Sequence, residues 1–172
     1  ILILFFFIFF IFYNDIFLLN SLLSLPILAQ SQESPKELLQ KAESLHSSKK
    51  YAEALGVYEK LIATDPSCVD AYRAIVTCYS DLGNPQGAVK YMDGLFLEHP
   101  QRAEVCYGLG VALYTVGKYD NAATYFQQAI KLKPDLAAAW NNSAVIYHFI
   151  KRDYAAARQY YEKAIEISTR TN

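Results

Sequence analysis

Two patterns of apolar residues divide the chain. From Ile1 to Ala29 the run is nearly continuous, broken only by Asn14, Asp15, Asn20, Ser21, Ser24 and Pro26. From Pro35 onward apolar residues recur at helical spacing instead. Cys106, Leu109, Gly110 and Leu113 fall at i, i+3, i+4 and i+7, and beyond Gly117 the set Ala122, Tyr125, Phe126 and Ala129 does the same. Each set predicts one buried helical face, so the segment reads as helix, short turn, helix. Gly83 and Gly117 predict reversals, because glycine enters positive φ without a Cβ clash. Pro66, Pro100 and Pro134 predict the ends of the second helices. Ser34-Pro35-Lys36-Glu37 has the layout of a capping box with proline in the first helical position, which places the start of the folded region there.

The marks repeat. Pro66, Pro100 and Pro134 are spaced by 34 and 34, Ala54, Ala88 and Ala122 likewise, and Ala157 follows after 35. Four units result, 35–68, 69–102, 103–136 and 137–170, joined by a 30–34 linker to the 1–29 leader. Their period and helix-turn-helix form resemble the tetratricopeptide repeat. Numbered within a unit, the family's large position 4 is Leu38, Tyr72, Cys106 and Trp140, and its small position 8 is Ala42, Val76, Gly110 and Ala144. Position 20 is Ala54, Ala88, Ala122 and Ala157; position 24 is Tyr58, Met92, Phe126 and Tyr161. The resemblance implies an all-α fold, a right-handed α-solenoid of four such units behind a hydrophobic N-terminal segment. Two departures stand out. Unit 2 carries Pro85-Gln86-Gly87 at the start of its second helix and Gly94 inside it, so it is expected to be the least stable. Unit 4 has one extra residue between His148 and Tyr154, so a wider loop is expected.

The resemblance also implies where function lies. First helices in this family line a concave groove with positions 2, 5, 9, 12 and 13. Unit 1 then contributes Lys36, Leu39, Glu43, His46 and Ser47, and unit 2 Asp70, Arg73, Thr77, Ser80 and Asp81. Unit 3 contributes Glu104, Tyr107, Val111, Tyr114 and Thr115, and unit 4 Ala138, Asn141, Val145, His148 and Phe149. The candidate peptide-binding residues are Arg73, Thr77, Tyr107, Val111, Tyr114, Asn141, Val145, His148 and Phe149. Exposed rings give contact area at low entropy cost, and an amide both donates to and accepts from a peptide bond. The expected partner is a protein or extended peptide. Relatives that hold two-carboxylate chaperone tails have Lys and Asn where this chain has Leu39 and Glu43, and Glu43 would repel a carboxylate. At the other end, Tyr154, Tyr161 and Ile165 form an apolar stripe on the last helix. Solenoids usually cover such a face, so a homo-oligomer, another partner or further chain is expected there.

Composition narrows the field. The 16 basic and 17 acidic residues leave a net charge of -1, without the basic surplus that nucleic-acid binding needs. Cys68, Cys78 and Cys106 have no zinc spacing and are odd in number, so Cys78 and Cys106 read as buried free thiols and no metal or cofactor is expected. Gly108-Leu109-Gly110 lies inside a predicted helix and serves packing, not phosphate binding. Asn141-Asn142-Ser143 fits a glycosylation pattern but is also helical. No catalytic arrangement emerges, and a non-enzymatic adaptor is expected. The alternatives are the regulatory or substrate-binding part of a larger enzyme and a self-associating repeat. Ile16 to Leu28 followed by Ala29 has the layout of a signal peptide, although Ile27 is not small and no basic residue precedes it. A membrane anchor is the alternative, so the expected location is the export pathway or a membrane touched only through this segment.

Overall fold

The computed structural model describes residues 33–171, so the 1–29 leader and most of the linker lie outside the described residues. The helices are α1 (Pro35–Ser47), α2 (Tyr51–Thr64), α3 (Val69–Asp81), α4 (Pro85–Glu98), α5 (Ala103–Thr115), α6 (Tyr119–Leu132), α7 (Ala137–Val145) and α8 (Tyr154–Thr171). A π-helical turn, Ile146–Ile150, continues α7. No strand occurs among the described residues, and the fold is an all-α solenoid with one helix pair in each 34-residue segment. Every helix packs on the next in sequence, and α3 also touches α5 directly. Such nearest-neighbour stacking is what lets units with one-sided apolar faces bury them.

The buried residues are those that repeat. Ala54, Ala88 and Ala122 are fully buried and fill one continuous core with Leu38, Tyr58, Tyr72, Met92 and Phe126, and Ala157 is nearly fully buried in unit 4. Glycine at position 8 is a requirement of packing in unit 3. A Cβ on Gly110 would lie 2.6 Å from Cε1 of Phe126, and one on Gly108 would lie 2.9 Å from Sδ of Met92. These two absences let α5 settle between α4 and α6, and the whole stretch from Ala103 to Gly110 is buried.

The large residue at position 4 also fastens the turn between units. The Tyr72 hydroxyl donates to the Pro66 carbonyl at 3.0 Å, and Trp140 Nε1 donates to the Pro134 carbonyl at 2.8 Å. The Cys106 thiol donates to the Pro100 carbonyl at 3.8 Å, so three different donors serve the same turn carbonyl.

Within each unit the reversal uses one residue at positive φ. Gly83 (73°) and Gly117 (79°) are as the sequence predicts, while Lys49 (61°) and Arg152 (55°) take that conformation in units 1 and 4. In units 1 to 3 the following N–H donates five residues back, Lys50 to Leu45, Asn84 to Tyr79 and Lys118 to Leu113, closing the helix end as in a Schellman motif. In unit 4 Asp153 donates to Tyr147, six back. The extra residue therefore does not make a wider loop. It is absorbed by the π turn, where Lys151 donates to Ile146 and a wider helical ring takes one more residue per turn. This also exchanges two neighbours: Tyr160, not Tyr161, packs against Tyr147 (5.0 Å) and Trp140 (5.5 Å), and Tyr161 meets His148 instead.

Candidate functional site

The first helices place four of the nine candidate residues around one cavity of about 210 Å³: Arg73 from α3, Val111 and Tyr114 from α5, and Val145 from α7. Phe126 and Asn142 complete it. A second cavity of about 260 Å³ lies between α1 and α3 and is lined by Leu39, Glu43, His46, Tyr58, Asp70, Arg73, Ala74 and Thr77. Arg73 belongs to both. The first is walled by aliphatic and aromatic groups, whereas the second carries carboxylates, an imidazole and hydroxyls.

Several candidates lie elsewhere. Tyr107 is 2% exposed and is no groove wall. The glycines beside it let α5 sink inward, so its ring packs against Phe126 at 5.9 Å and only its hydroxyl reaches the groove side, accepting from Asn142 Nδ2 at 3.4 Å. Asn141 is exposed and lines neither cavity; the amide in the cavity belongs to the next residue, Asn142. His148 and Phe149 stack on each other at 4.4 Å, with Tyr154 edge-on to His148, in a separate aromatic group at the C-terminal end. Phe149 there is 65% exposed, and Tyr154 and Ile165 are each 62% exposed. Glu104, implied as a groove residue, is nearly buried and bonded to Lys133 Nζ at 2.8 Å.

The charges of the groove are mostly spoken for. Arg73 donates to Asp70 at 2.9 Å, and this hydrogen bond holds the guanidinium above its ordinary range. His46 lies 2.9 Å from Asp81. Burial pushes the Tyr58 hydroxyl up to about 12, so it stays protonated. Cys78 and Cys106 are buried free thiols, each pushed up to about 11 chiefly by burial, which keeps them from acting as thiolates. Ser143 of the glycosylation pattern is fully buried. Among the described residues no cluster of His, Cys, Asp and Glu offers a metal site, and no helix is long and apolar enough to cross a membrane.

Asn142 and Phe126 were missed by sequence reasoning for different reasons. Nothing distinguishes Asn142 from Asn141 in the sequence except one residue of helical rotation. Phe126 carried a signal, because a position-8 glycine opposite a position-24 aromatic lets the ring slide toward the groove.

Comparison with known proteins agrees with this construction. Two models of the tetratricopeptide repeat match residues 45–109 and 107–170. The chain is 30% identical over 144 residues to the Homo sapiens protein O-mannosyl-transferase TMTC1, covering 81% of this chain and 16% of that protein. It spans only about a sixth of the transferases it matches. It is 25% identical to the photosystem I assembly protein Ycf3 of Acaryochloris marina, over 65% of this chain and 78% of that one. Among solved structures, MamA aligns with a TM-score of 0.56 at 19% identity, covering 85% of both chains. The Cut9–Hcn1 assembly of the APC/C aligns with a TM-score of 0.61 at 22% identity, covering 84% of this chain and 28% of that one. With the repeat seen in sequence, helix pairs and matching models alike, the chain belongs to the tetratricopeptide repeat family and has the build of a protein-interaction scaffold.

Proposed function

We propose that the chain is a non-enzymatic adaptor that captures an extended peptide or protein segment in the groove of its first helices. The apolar leader would export it or tether it to a membrane. The observation that carries the reading is the cavity of about 210 Å³ with Val111, Tyr114, Phe126 and Val145 as walls and the Arg73 and Asn142 side chains as polar contacts. Apolar walls with a few placed polar groups are the usual make-up of a recognition pocket. Asn142 spends one N–H on Tyr107 and keeps its carbonyl for a peptide N–H. The test is a binding assay on an immobilised octapeptide array. Tyr114→Ala and Val145→Glu should each weaken binding about tenfold or more while far-UV circular dichroism is unchanged. Undiminished binding by both folded variants refutes the groove reading.

A second reading is favoured by the 30% identity to an O-mannosyl-transferase of which the chain matches 16%. The repeats would then be the substrate-binding or regulatory part of a longer enzyme. Sequencing the transcript beyond both ends of these 172 residues separates the two, since an adjoining transferase domain would replace the adaptor reading.

A further inference from the structure

The two cavities that meet at Arg73 differ in charge as well as polarity. Around the α1–α3 cavity, Asp70 is held by Arg73 at 2.9 Å, and Asp81 accepts from His46 at 2.9 Å just outside it. Glu43 lines the same cavity and is exposed, and its carboxylate makes no ion pair among the described residues. Three carboxylates thus share one guanidinium and one imidazole, and Glu43 is the charge left over. A carboxylate arriving there would meet Glu43 and Asp70, with the Arg73 charge offset by Asp70, whereas an ammonium or guanidinium would find Glu43 without an ion-pair partner among the described residues. Next to it, the cavity of Val111, Tyr114, Phe126 and Val145 offers no formal charge except the shared Arg73. Apolar contact, not charge, fills it.

The spacing of the two follows from the helices that form them. One lies between α1 and α3 and the other spans α3, α5 and α7, so their centres are one to two interhelix distances apart, about 8–20 Å. An extended chain advances about 3.3 Å per residue and covers that in about three to six residues.

We infer that the groove selects a peptide in which a Lys or Arg side chain enters the cavity beside Glu43 and an aliphatic or aromatic side chain, three to six residues away, fills the cavity walled by Val111, Tyr114, Phe126 and Val145. This rests on the peptide-groove reading above and specifies its ligand. Asn142 would meet the backbone of the same segment through its free carbonyl.

The test pans a random octapeptide library on the full 172-residue chain, held in mild detergent because of its apolar leader, and repeats it with Glu43→Lys and Val145→Glu. Sequences recovered on the native chain should pair a basic residue with Leu, Ile, Phe or Tyr three to six positions away. Exchanging Lys for Glu in a recovered peptide should weaken it about tenfold. Glu43→Lys should turn the basic preference into an acidic one, and its exposed position leaves the fold intact. Recovered peptides that keep the apolar residue but are indifferent to charge, or prefer acid, overturn this inference and leave the groove reading standing. Recovery of the same sequences by Val145→Glu as by the native chain, or no enrichment at all, overturns both.

Discussion

The Glu104–Lys133 pair is a sharp test of how unit 3 is held together. Glu104 lies in the first turn of α5 and Lys133 caps the end of α6, with Oε1 and Nζ 2.8 Å apart. The side chains are 10% and 37% exposed respectively, so the carboxylate is inside and the ammonium is at the rim. At that distance and an effective dielectric of about 20 the attraction is about 6 kcal/mol. Desolvating the carboxylate takes back several kcal/mol, and water at the lysine screens part of the rest, leaving a net of about 1–2 kcal/mol. Lys133→Met should therefore cost about 1–2 kcal/mol in urea unfolding followed by circular dichroism, because it strands a buried charge. Glu104→Gln with Lys133→Met should recover most of that loss, since neither charge remains to be stranded. The hydrogen bond that Lys133 donates to Glu104 raises the lysine pKa above its ordinary 10.5. A raised basic group contributes fully below its unfolded pKa and loses that contribution as pH climbs through the folded one. The native chain should thus lose stability relative to the double variant as pH rises above the ordinary lysine range. A Lys133→Met midpoint within about 0.3 kcal/mol of the native one, or a double variant as unstable as the two single losses added, would refute the coupling.

Two further substitutions probe single contacts. Gly94 lies inside α4 with nothing within 4 Å of where a Cβ would stand, so Gly94→Ala should stabilise by up to about 1 kcal/mol. Because α4 buries only Ala88 and Met92, the gain should also appear as slower amide exchange across α4, and unchanged exchange there would remove unit 2 as the weak point of the stack. The Ser143 hydroxyl is fully buried and has no hydrogen-bond partner among the described residues. Ser143→Ala should be neutral or stabilising by about 1 kcal/mol in the same urea assay; a loss above about 1 kcal/mol would mean the hydroxyl has a partner after all.

How much of this was legible in the sequence depends on what each feature answers to. The four units were legible because burial repeats with the chain: Ala54, Ala88, Ala122 and Ala157 are the same position seen four times, and each is confined in the same way. The groove is a matter of rotation, and sequence spacing specifies helical rotation only to within about one residue. Tyr107 occupies a groove position by count, yet Gly108 and Gly110 remove the two side chains that would have held α5 away from Met92 and Phe126, and the ring is drawn inside. Asn141 and Asn142 are chemically identical neighbours, so only packing decides which lines the cavity. The extra residue of unit 4 shows the same limit in the backbone. Its presence was countable, but a wider loop and a wider helical turn both accommodate one residue, and the Lys151 to Ile146 hydrogen bond is what favours the turn. That choice matters for function, because the π turn places His148 and Phe149 in an aromatic group of their own and leaves Val145, at the end of α7, as unit 4's apolar wall of the cavity.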